Sequence, residues 1–358
     1  MLIFDNYETD VRIDKEVKAL NKVGVSTKVI SYGEKESNNT LNIVLNSEKK
    51  ILRVLEFTFR AFKELKNKNI KVIHSHDFLA LPIGFILSRL LNTKFIFDAH
   101  ELYHVLHGGN RLKEKIMKIL IPKVDYLITV SDSIEEVYQR EFNAKNTIVL
   151  KNTPDFEKVT NKKNLLRKEL NIPKEKKILL FQGYLVPDRE IGNIVNLLPF
   201  LPNNYVLVLM GKIDKEYKQD LINLSQTLNV SDRLYIKKPV AYEEITNYTS
   251  GADLGIVIFE NKNLNYYYCL PNKLFEYIVS KVPVIVSDFP DMRELVMKNQ
   301  YGVTVKENEE SEGIANRIVQ LLEGQDYQVF LENLEKNSDG YRWEFEQKKL
   351  ISIYNELI

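Results

Sequence analysis

The 358-residue sequence contains a single cysteine, Cys269, and no long hydrophobic run. One cysteine excludes a disulfide within the chain and a zinc site built from several cysteines. No apolar stretch reaches the ~18 residues that a membrane-spanning helix requires, and the first residues, MLIFDNYETD, lack the basic start and cleavage site of a signal peptide. We therefore expect a cytoplasmic protein.

An excess of either charge is also absent, because 50 Lys and Arg residues are balanced by 49 Asp and Glu residues. Nucleic acid binds proteins largely through a surplus of positive charge, so it is not an expected partner. No G-x-G-x-x-G sequence follows any apolar run, which argues against a nicotinamide or flavin dinucleotide as cofactor.

Short apolar runs alternate with amphipathic stretches along the whole chain. The runs are LIF, VSTKVIS, TLNIVLN, KVIHSH, KFIFDAH, DYLITVS, TIVLKN, KKILLFQG, YVLVLMG, RLYIKK, ADLGIVIF, VPVIVSD and YGVTVK. Runs that are apolar throughout suit strands covered on both faces, and repeated strand–helix units predict parallel sheets. We predict an α/β protein with two Rossmann-like, doubly wound domains, residues 1–160 and 161–335, and a terminal amphipathic helix, residues 336–358.

The sequence PNKLFEY predicts a helix whose first turn could bind an anion. Pro271 suits a first turn, and the N–H groups of Asn272, Lys273 and Leu274 would point out of the helix start. Lys273 adds a positive charge, and Glu276 lies on the same helical face. A phosphate could bind the amides and the lysine, while the carboxylate accepts hydrogen bonds from sugar hydroxyls. The alternative is an ordinary Lys–Glu surface pair.

Glycines directly follow two of the predicted strands. Gly183 ends KKILLFQG and Gly211 ends YVLVLMG, and a glycine there lets a phosphate approach the backbone. Arg189 comes just after the first of these strands, at the start of the next predicted helix. With Lys273, these residues predict a diphosphate site at the carboxyl ends of the strands, and a nucleotide that carries a sugar fits it best.

A larger pattern runs through VIHSHDFLALPIG, KFIFDAHELY, DYLITVSDSIEEVY and VLKNTP, and then through FQGYLVPDRE, AYEEITNYTSGADLGIVIF, LPNKLFEYIVSKVPVIVSD and FPDMRELV. In this order the segments resemble the retaining GT-B glycosyltransferases of group 1, which use nucleotide-diphosphate sugars. The resemblance covers nearly the whole chain. It is closest to a branch with a PNKLFEY helix, many members of which act in cell-envelope, capsular or lipid-linked polysaccharide assembly.

The resemblance implies a role for individual residues. Arg189 and Lys273 would hold the donor's diphosphate, Glu276 would bind the ribose hydroxyls, and His100 would face the donor sugar across the cleft. Further donor contacts would come from Gly183, Tyr184, Gly211, Lys238, Pro239, Leu270, Pro271 and Asn272. The resemblance also implies a UDP-sugar rather than a GDP-sugar, no cofactor, no metal, and a terminal helix around Trp343 that crosses back to the first domain.

The chain departs from the family pattern at three positions. Tyr268 stands where a glutamate often precedes Glu276 by eight residues, and Tyr184 stands where an arginine often follows the first glycine of the second domain. These departures favour a second interpretation, a non-catalytic GT-B subunit that binds nucleotide or glycan and supports a partner enzyme. DVRID replaces the usual glycine-rich turn, and Arg12 is predicted either to contact an anion or to be a plain surface residue.

All five histidines, His74, His76, His100, His104 and His107, lie within 34 residues of one another. HSHD has the spacing of metal ligands, so a metal-dependent hydrolase is a third interpretation. The remaining ligands of such a site are not evident in the sequence. We instead expect His104 and His107 in an acceptor-binding loop, because glycines follow them.

Residues 111–123, RLKEKIMKILIPK, predict a basic amphipathic helix. Such a helix could rest on the inner face of the cell membrane and bring the enzyme to a lipid-linked acceptor. The alternative is a helix packed on the first sheet with solvated lysines. The expected partners are thus a nucleotide-sugar donor, a glycan or lipid-linked acceptor, and this peripheral membrane contact.

Overall fold

The computed structural model describes residues 1–5, 10–32, 40–106, 109–159 and 163–358. Its contacts divide the chain into two compact units. The first unit contains Met1–Asn152, Asn263–Cys269 and Trp343–Ile358, and the second contains Thr153–Lys262 and Leu270–Arg342. The division differs from the predicted boundary at residues 160 and 161, because the chain changes unit after Asn152 and the segment Asn263–Cys269 packs with the first unit.

Strands form where the apolar runs predicted them. The described strands are β1 (Leu2–Ile3), β2 (Val29–Tyr32), β3 (Thr40–Ile43), β4 (Val72–His76), β5 (Lys94–Ala99), β6 (Tyr126–Thr129), β7 (Thr147–Val149), β8 (Lys177–Gln182), β9 (Tyr205–Met210), β10 (Leu234–Lys237), β11 (Leu254–Val257), β12 (Val284–Ser287) and β13 (Gly302–Val305). Each lies inside one of the apolar runs named above, except that β2 extends one residue past its run to Tyr32.

The described helices, in chain order, are α1 (Val11–Lys22), α2 (Lys50–Leu65), α3 (Asp77–Leu91), α4 (Arg111–Leu120), α5 (Asp132–Phe142), α6 (Leu165–Leu170), α7 (Ile191–Val195), α8 (Lys215–Thr227), α9 (Ile245–Thr249), α10 (Leu264–Tyr267), α11 (Asn272–Val279), α12 (Pro290–Asn299), α13 (Ser311–Glu323), α14 (Asp326–Asn337) and α15 (Trp343–Leu357). Several begin at a polar cap. The Asp10 carboxylate accepts from the N–H groups of Arg12 and Ile13 at the start of α1.

The first unit is built on a parallel sheet of seven strands in the order β3-β2-β1-β4-β5-β6-β7. The strand order reverses between β1 and β4, which creates a crevice at their carboxyl ends, where open α/β sheets bind ligands. Phe57 of α2 packs with Phe95 and Phe97 in the core, while Ile96 and Ile128 pack with the terminal helix α15.

The second unit is built on a parallel sheet of six strands in the order β10-β9-β8-β11-β12-β13. Its order reverses between β8 and β11, so the ends of these two strands form the equivalent crevice. The predicted α/β architecture, with two doubly wound parallel sheets, is therefore confirmed.

Helix α15 starts at Trp343, seven residues later than the predicted terminal helix, and belongs to the first unit. Its apolar face buries Trp343, Leu350 and Tyr354, and the Tyr354 hydroxyl lies 3.0 Å from Nδ1 of His74. The helix is also tied to the chain after β7, because the Glu346 carboxylate accepts from the Lys151 N–H at 3.0 Å.

Candidate functional site

Helix α11 starts at the second unit's crevice. Pro271 is the residue before the first turn, with φ −73° and ψ 145°, rather than inside that turn as predicted. The Leu274 N–H donates to the Pro271 carbonyl at 2.9 Å, so the expectation that it points out of the helix start is wrong. The N–H groups of Asn272 and Lys273 lie in the first turn, where a helix provides no acceptor for them.

Lys273 is buried against the end of β8. Its Nζ lies 3.4 Å from the centroid of the Phe181 ring and 5.3 Å from that of Phe259. Gly183 follows β8 with φ +120°, a backbone conformation that other residues rarely adopt. A Cβ at Gly183 would lie 3.9 Å from Lys273 Nζ, so the lysine charge lies beside this glycine turn.

Gly183 and Gly211 are in direct contact. A Cβ at Gly211 would meet the Gly183 carbonyl oxygen at 1.7 Å, so only glycine fits there without a shift of the backbone. The Gly211 N–H donates to the Lys237 carbonyl at 3.0 Å, and the exposed Lys238 and Pro239 follow directly. The structure therefore brings together the ends of β8, β9 and β10, as the sequence predicted.

Glu276 is oriented by a residue that the sequence analysis missed. The side-chain amide of Gln182, the last residue of β8, donates to the Glu276 carboxylate. The Gln182 carbonyl oxygen accepts in turn from the Thr249 hydroxyl at 2.7 Å. The next residue, Tyr277, donates its hydroxyl to the Leu180 carbonyl at 2.8 Å and thereby fixes α11 against the strand.

Arg189 lies in a single turn, Pro187–Arg189, just before α7. Its guanidinium carbon is 5.8 Å from the centroid of the Phe259 ring, the ring that Lys273 also approaches. The backbone of Phe259 is held by Ser287, which accepts from its N–H at 2.7 Å and donates to its carbonyl at 2.9 Å. Both predicted phosphate-binding cations therefore lie at Phe259, which the sequence analysis did not identify.

The other predicted donor contacts vary in exposure. Tyr184 is exposed beside the glycine turn, whereas Leu270 is buried before α11. A cavity of about 550 Å³ lies at the carboxyl ends of β11, β12 and β13, and its lining includes Glu190, Phe259 and Glu260 but neither Arg189 nor Lys273. The cavity is adjacent to the predicted diphosphate site and does not contain it.

In the first unit, Arg12 is buried rather than exposed. Its Nε and Nη2 donate to the Asp98 carboxylate at 2.8 to 3.0 Å, and its Nη1 donates to the Leu150 carbonyl at 3.2 Å. Glu16, one turn further along α1, lies 3.2 Å from Arg12 Nε. The prediction of a plain surface role is wrong, because Arg12 is buried. The anion contact stays a prediction, and the protein's own acceptors already bind this guanidinium.

The HSHD segment meets this ion pair. The His74 and His76 rings stack with centroids 4.3 Å apart, and each offers a ligand atom within 4.8 Å of one from Glu16 and one from Asp98. The sequence analysis missed these two carboxylates. Arg12 lies 2.8 Å from Asp98 and 3.2 Å from Glu16, so its guanidinium already places a positive charge beside both carboxyl groups of the cluster.

Burial sets the charge of the two stacked histidines. It lowers the pKa of His74 to about 3 and that of His76 well below the ordinary value, so both rings are neutral at pH 7. Burial and the neighbouring Asp98 raise the pKa of Glu16 to about 8. Burial also acts to raise the pKa of Asp98, but Arg12 outweighs it and holds that pKa well below the ordinary value.

His100 has the opposite charge state. Its Nδ1 lies 3.4 Å from Asp77 and its Nε2 lies 3.6 Å from Asp98, so a carboxylate faces each ring nitrogen. Burial acts to lower the pKa of His100, but Asp98 and Asp77 outweigh it and raise the pKa to about 9. His100 is therefore an imidazolium at pH 7, and the expectation that it faces the donor sugar stays a prediction.

Asp77 is a second residue that the sequence analysis missed. It joins β4 to α3 with φ +66°, a left-handed conformation that is uncommon outside glycine and is frequent at functional sites. Its Oδ1 accepts from the Tyr103 hydroxyl at 2.7 Å, and its side chain remains 43% exposed. Asp77 thus presents an oriented carboxylate at the crevice between β1 and β4.

The two predicted loop histidines have different outcomes. His104 packs edge-on against Phe142 of α5, and its Nε2 lies 3.5 Å from Glu141. Burial lowers its pKa. His107 lies outside the described residues, so the acceptor role of both residues stays a prediction.

Tyr268, which replaces the family's glutamate, belongs to the first unit. Its side chain packs against that unit's core, and its carbonyl accepts from the Ser131 hydroxyl at 2.7 Å. In the same segment, the Asn265 side chain accepts from the Leu102 N–H at 3.0 Å. These contacts explain why Asn263–Cys269 belongs to the first unit, although α11, which follows it in the chain, belongs to the second.

Two family matches cover most of the chain. Residues 162–338 match the family described as Glycosyl transferases group 1, and residues 11–157 match Glycosyltransferase Family 4. The two parallel-sheet units have the GT-B fold of solved glycosyltransferases. Together these matches support the group 1 glycosyltransferase family for this chain.

Named relatives agree with this class. The D-inositol 3-phosphate glycosyltransferase of Corynebacterium urealyticum is 23% identical over 83% of this chain and 74% of its own length. The chitobiosyldiphosphodolichol beta-mannosyltransferase of Debaryomyces hansenii is 24% identical over 65% of this chain, which spans 55% of that relative. The Anabaena protein Alr3699/HepE, solved in complex with UDP and glucose, has a TM-score of 0.80 at 13% identity over 99% of both chains, which establishes the fold alone.

Proposed function

We propose that this glycosyltransferase moves a hexose from a nucleotide-diphosphate donor, with retention of configuration, to a glycan or lipid-linked acceptor in cell-envelope or capsular polysaccharide synthesis. The observation that carries the proposal is the position of Lys273, with its charge beside the Gly183 turn and its N–H in the first turn of α11. A buried cation beside a glycine turn and a helix start suits a phosphate group.

The donor would bind mainly to the second unit. Lys273, Arg189 and the first N–H groups of α11 would hold the diphosphate, and Glu276, oriented by Gln182, would accept hydrogen bonds from the ribose. Lys238 and Pro239 would lie near the base. UDP is the favoured nucleotide over GDP.

The chemistry requires stabilisation of a leaving diphosphate. As the bond between the anomeric carbon and the phosphate oxygen breaks, its electron pair passes to the diphosphate, and Lys273 and Arg189 would stabilise that charge without a metal. The acceptor oxygen would bond to the anomeric carbon on the same face and give its proton to the departing phosphate. The Debaryomyces relative's name specifies a beta product, so the configuration of the product must be measured directly.

Thermal unfolding against UDP, GDP, ADP and CMP, with and without a divalent metal, tests donor binding. A nucleotide at about 100 times its dissociation constant adds about 2.7 kcal/mol to the free energy of unfolding. Stabilisation by one nucleotide diphosphate without metal supports the proposal. No stabilisation by any of them would overturn it.

Turnover separates the enzyme from the second candidate, a non-catalytic subunit, which Tyr184 and Tyr268 favour as departures from the family pattern. The purified chain is incubated with the UDP-sugars of glucose, galactose and N-acetylglucosamine, and released UDP is measured together with the anomeric configuration of any product. Nucleotide binding without any release of UDP favours the subunit.

The lipid-linked acceptor motivates a peripheral membrane contact through residues 111–123. None of the described helices is both long and apolar enough to cross a membrane. Helix α4 exposes Leu112 and Ile119 among its lysines but buries Met117 against the first unit. Helix α4 therefore exposes only two large apolar side chains, and helix α2 of the same unit exposes more.

A further inference from the structure

Helix α2 carries the most exposed apolar side chains among the described residues. Ile51, Leu55 and Phe59 are 75%, 59% and 69% exposed, and Leu52 is half exposed beside them. Residues at i, i+4 and i+8 lie in one line along a helix, so the four side chains form a continuous stripe. Scattered exposed apolar residues are ordinary in soluble proteins, whereas a continuous stripe marks a binding surface.

The opposite face of α2 explains why the helix is fixed in this orientation. Phe57, Ala61 and Leu65 are buried in the core of the first unit, and Val54 and Phe62 pack partly against it. Core packing on one face prevents the helix from turning its stripe inward. The exposed stripe is therefore a property of the folded unit.

Basic residues surround the stripe. The segment from Glu48 to Lys68 contains seven Lys and Arg residues and three Asp and Glu residues. Glu56 accepts from the N–H groups of Asn46 and Ser47 and pairs with Arg60, so both charges of this pair are used within the protein and six basic and two acidic residues remain in the segment. An apolar stripe with basic flanks is the pattern of a helix that lies in the surface of an anionic membrane.

The helices next to α2 also expose apolar side chains. Helix α2 packs on α3, and α3 packs on α4. Helix α3 exposes Ile86 and Leu90, and α4 exposes Leu112 and Ile119. Apolar side chains thus extend across three neighbouring helices, with the densest group on α2.

We propose that the outer face of α2 binds an anionic lipid bilayer. The helix has 16 residues, so about 24 Å of it can lie flat in the headgroup region with Ile51, Leu55 and Phe59 inserted. Each basic residue near an anionic surface strengthens the attraction. This inference moves the main membrane contact of the proposed function from residues 111–123 to α2, and its test does not depend on donor binding or glycosyl transfer.

Charge argues against a second copy of the chain as the occupant. A symmetric dimer through α2 would bring the same basic flanks, including Lys49, Lys63 and Lys66, close to one another. Like charges at an interface oppose association, whereas anionic lipids neutralise them. The membrane is therefore the partner that this surface fits.

The test is sedimentation of the full chain with vesicles at 50 mM salt. Vesicles of phosphatidylcholine with 30% phosphatidylglycerol are compared with vesicles of phosphatidylcholine alone. The wild type is expected to bind the anionic vesicles at least tenfold more strongly than the neutral ones. The triple variant Ile51→Ser, Leu55→Ser, Phe59→Ser is expected to lose at least tenfold in binding.

Matched variants identify the helix. The α4 variant Leu112→Ser with Ile119→Ser is expected to change vesicle binding by less than threefold. The triple variant Lys49→Gln, Lys63→Gln, Lys66→Gln is expected to weaken vesicle binding and to make it less dependent on salt. Unchanged Trp343 fluorescence shows that each variant's first unit is folded. Equal binding by the α2 variant, equal binding to neutral vesicles, or no binding would overturn the inference. A wild-type dimer that the α2 variant converts to monomer without vesicle binding would assign the surface to a second copy.

Discussion

The carboxyl ends of the two sheets use charge in different ways. In the first unit, Arg12, Asp98 and Glu16 contact one another inside the protein, together with three histidines. In the second unit, Lys273 lies among aromatic rings beside two glycines in contact. The first arrangement uses its charges to hold three chain segments together, whereas the second presents a positive charge where a phosphate can approach the backbone. Two similar folds therefore place their basic residues differently, in a buried ion pair in one unit and beside a glycine turn in the other, where we propose that the lysine binds the donor.

Removal of Arg12 should produce the largest effect on stability. The variant Arg12→Met leaves the Asp98 carboxylate buried without its partner, which costs about 3–5 kcal/mol. Trp343 is the single tryptophan and lies in the first unit, so its fluorescence in a denaturant titration reports that unit. Arg111→Met on the surface of α4 is the control, with a change within about 0.5 kcal/mol. Equal stability of the two variants would contradict this account of Arg12.

The corresponding change in the second unit should affect the ligand instead. Lys273→Met keeps the contact with Phe181 but removes the charge, so we expect the stabilisation by nucleotide diphosphate to disappear and UDP release to fall about 100-fold, equivalent to about 2.7 kcal/mol. Thermal unfolding with and without nucleotide measures the first effect. Lys298→Ala, an exposed residue of α12, is the control. Wild-type nucleotide binding by Lys273→Met would remove the distinction between the two units.

The stability of the first unit should fall as pH rises through the alkaline range. The pKa of His100 is raised from 6.5 to about 9, so its contribution is fully present below pH 6.5 and is lost between pH 6.5 and 9. The raised pKa of Glu16 acts in the same direction between pH 4.5 and 8. We expect a loss on the order of 2 kcal/mol from pH 6.5 to 9.

Denaturant titrations at several pH values, followed by Trp343 fluorescence, measure this loss. The variant His100→Gln removes the titrating ring and should flatten the curve above pH 8, where Glu16 no longer contributes. A wild-type curve that is already flat would mean that Asp77 and Asp98 do not hold the ring as an imidazolium.

Metal ions should have the smallest effect. Arg12 pairs with the Asp98 carboxylate, and the raised pKa of Glu16, about 8, leaves that group mostly uncharged at pH 7. Neither a chelator nor added Zn²⁺ or Mn²⁺ should therefore shift the unfolding of the first unit by more than about 1 °C. The measurement is thermal unfolding followed by Trp343 fluorescence. A clear stabilisation by metal would favour the hydrolase interpretation of the HSHD segment.

Much of the second unit's site was predictable because its signals are local. Gly183 and Gly211 stand directly after strands, and Lys273 and Glu276 stand in the first turns of one helix, so sequence spacing alone places them at a common edge. Gln182 and Phe259 were missed. A glutamine at a strand end and an apolar residue in a loop carry no local sign of the partners that they meet.

The first unit's cluster was not predictable for the same reason. Arg12 and Asp98 are 86 residues apart and meet only because β1 and β5 flank β4 in the sheet. The sequence therefore suggested a surface or anion-binding arginine. Asp77 was equally hidden, because its left-handed backbone and its bond to Tyr103 depend on the folded turn between β4 and α3.

By itself, the sequence determined the α/β class, the positions of the strands and the motif at the start of α11, because periodicity, glycine positions and helix-start chemistry act over a few residues. The tertiary structure alone decided which charges are buried together, which histidine is charged, and which face of α2 remains exposed. These properties depend on segments far apart in the chain, and on the loss of water around a group once they meet.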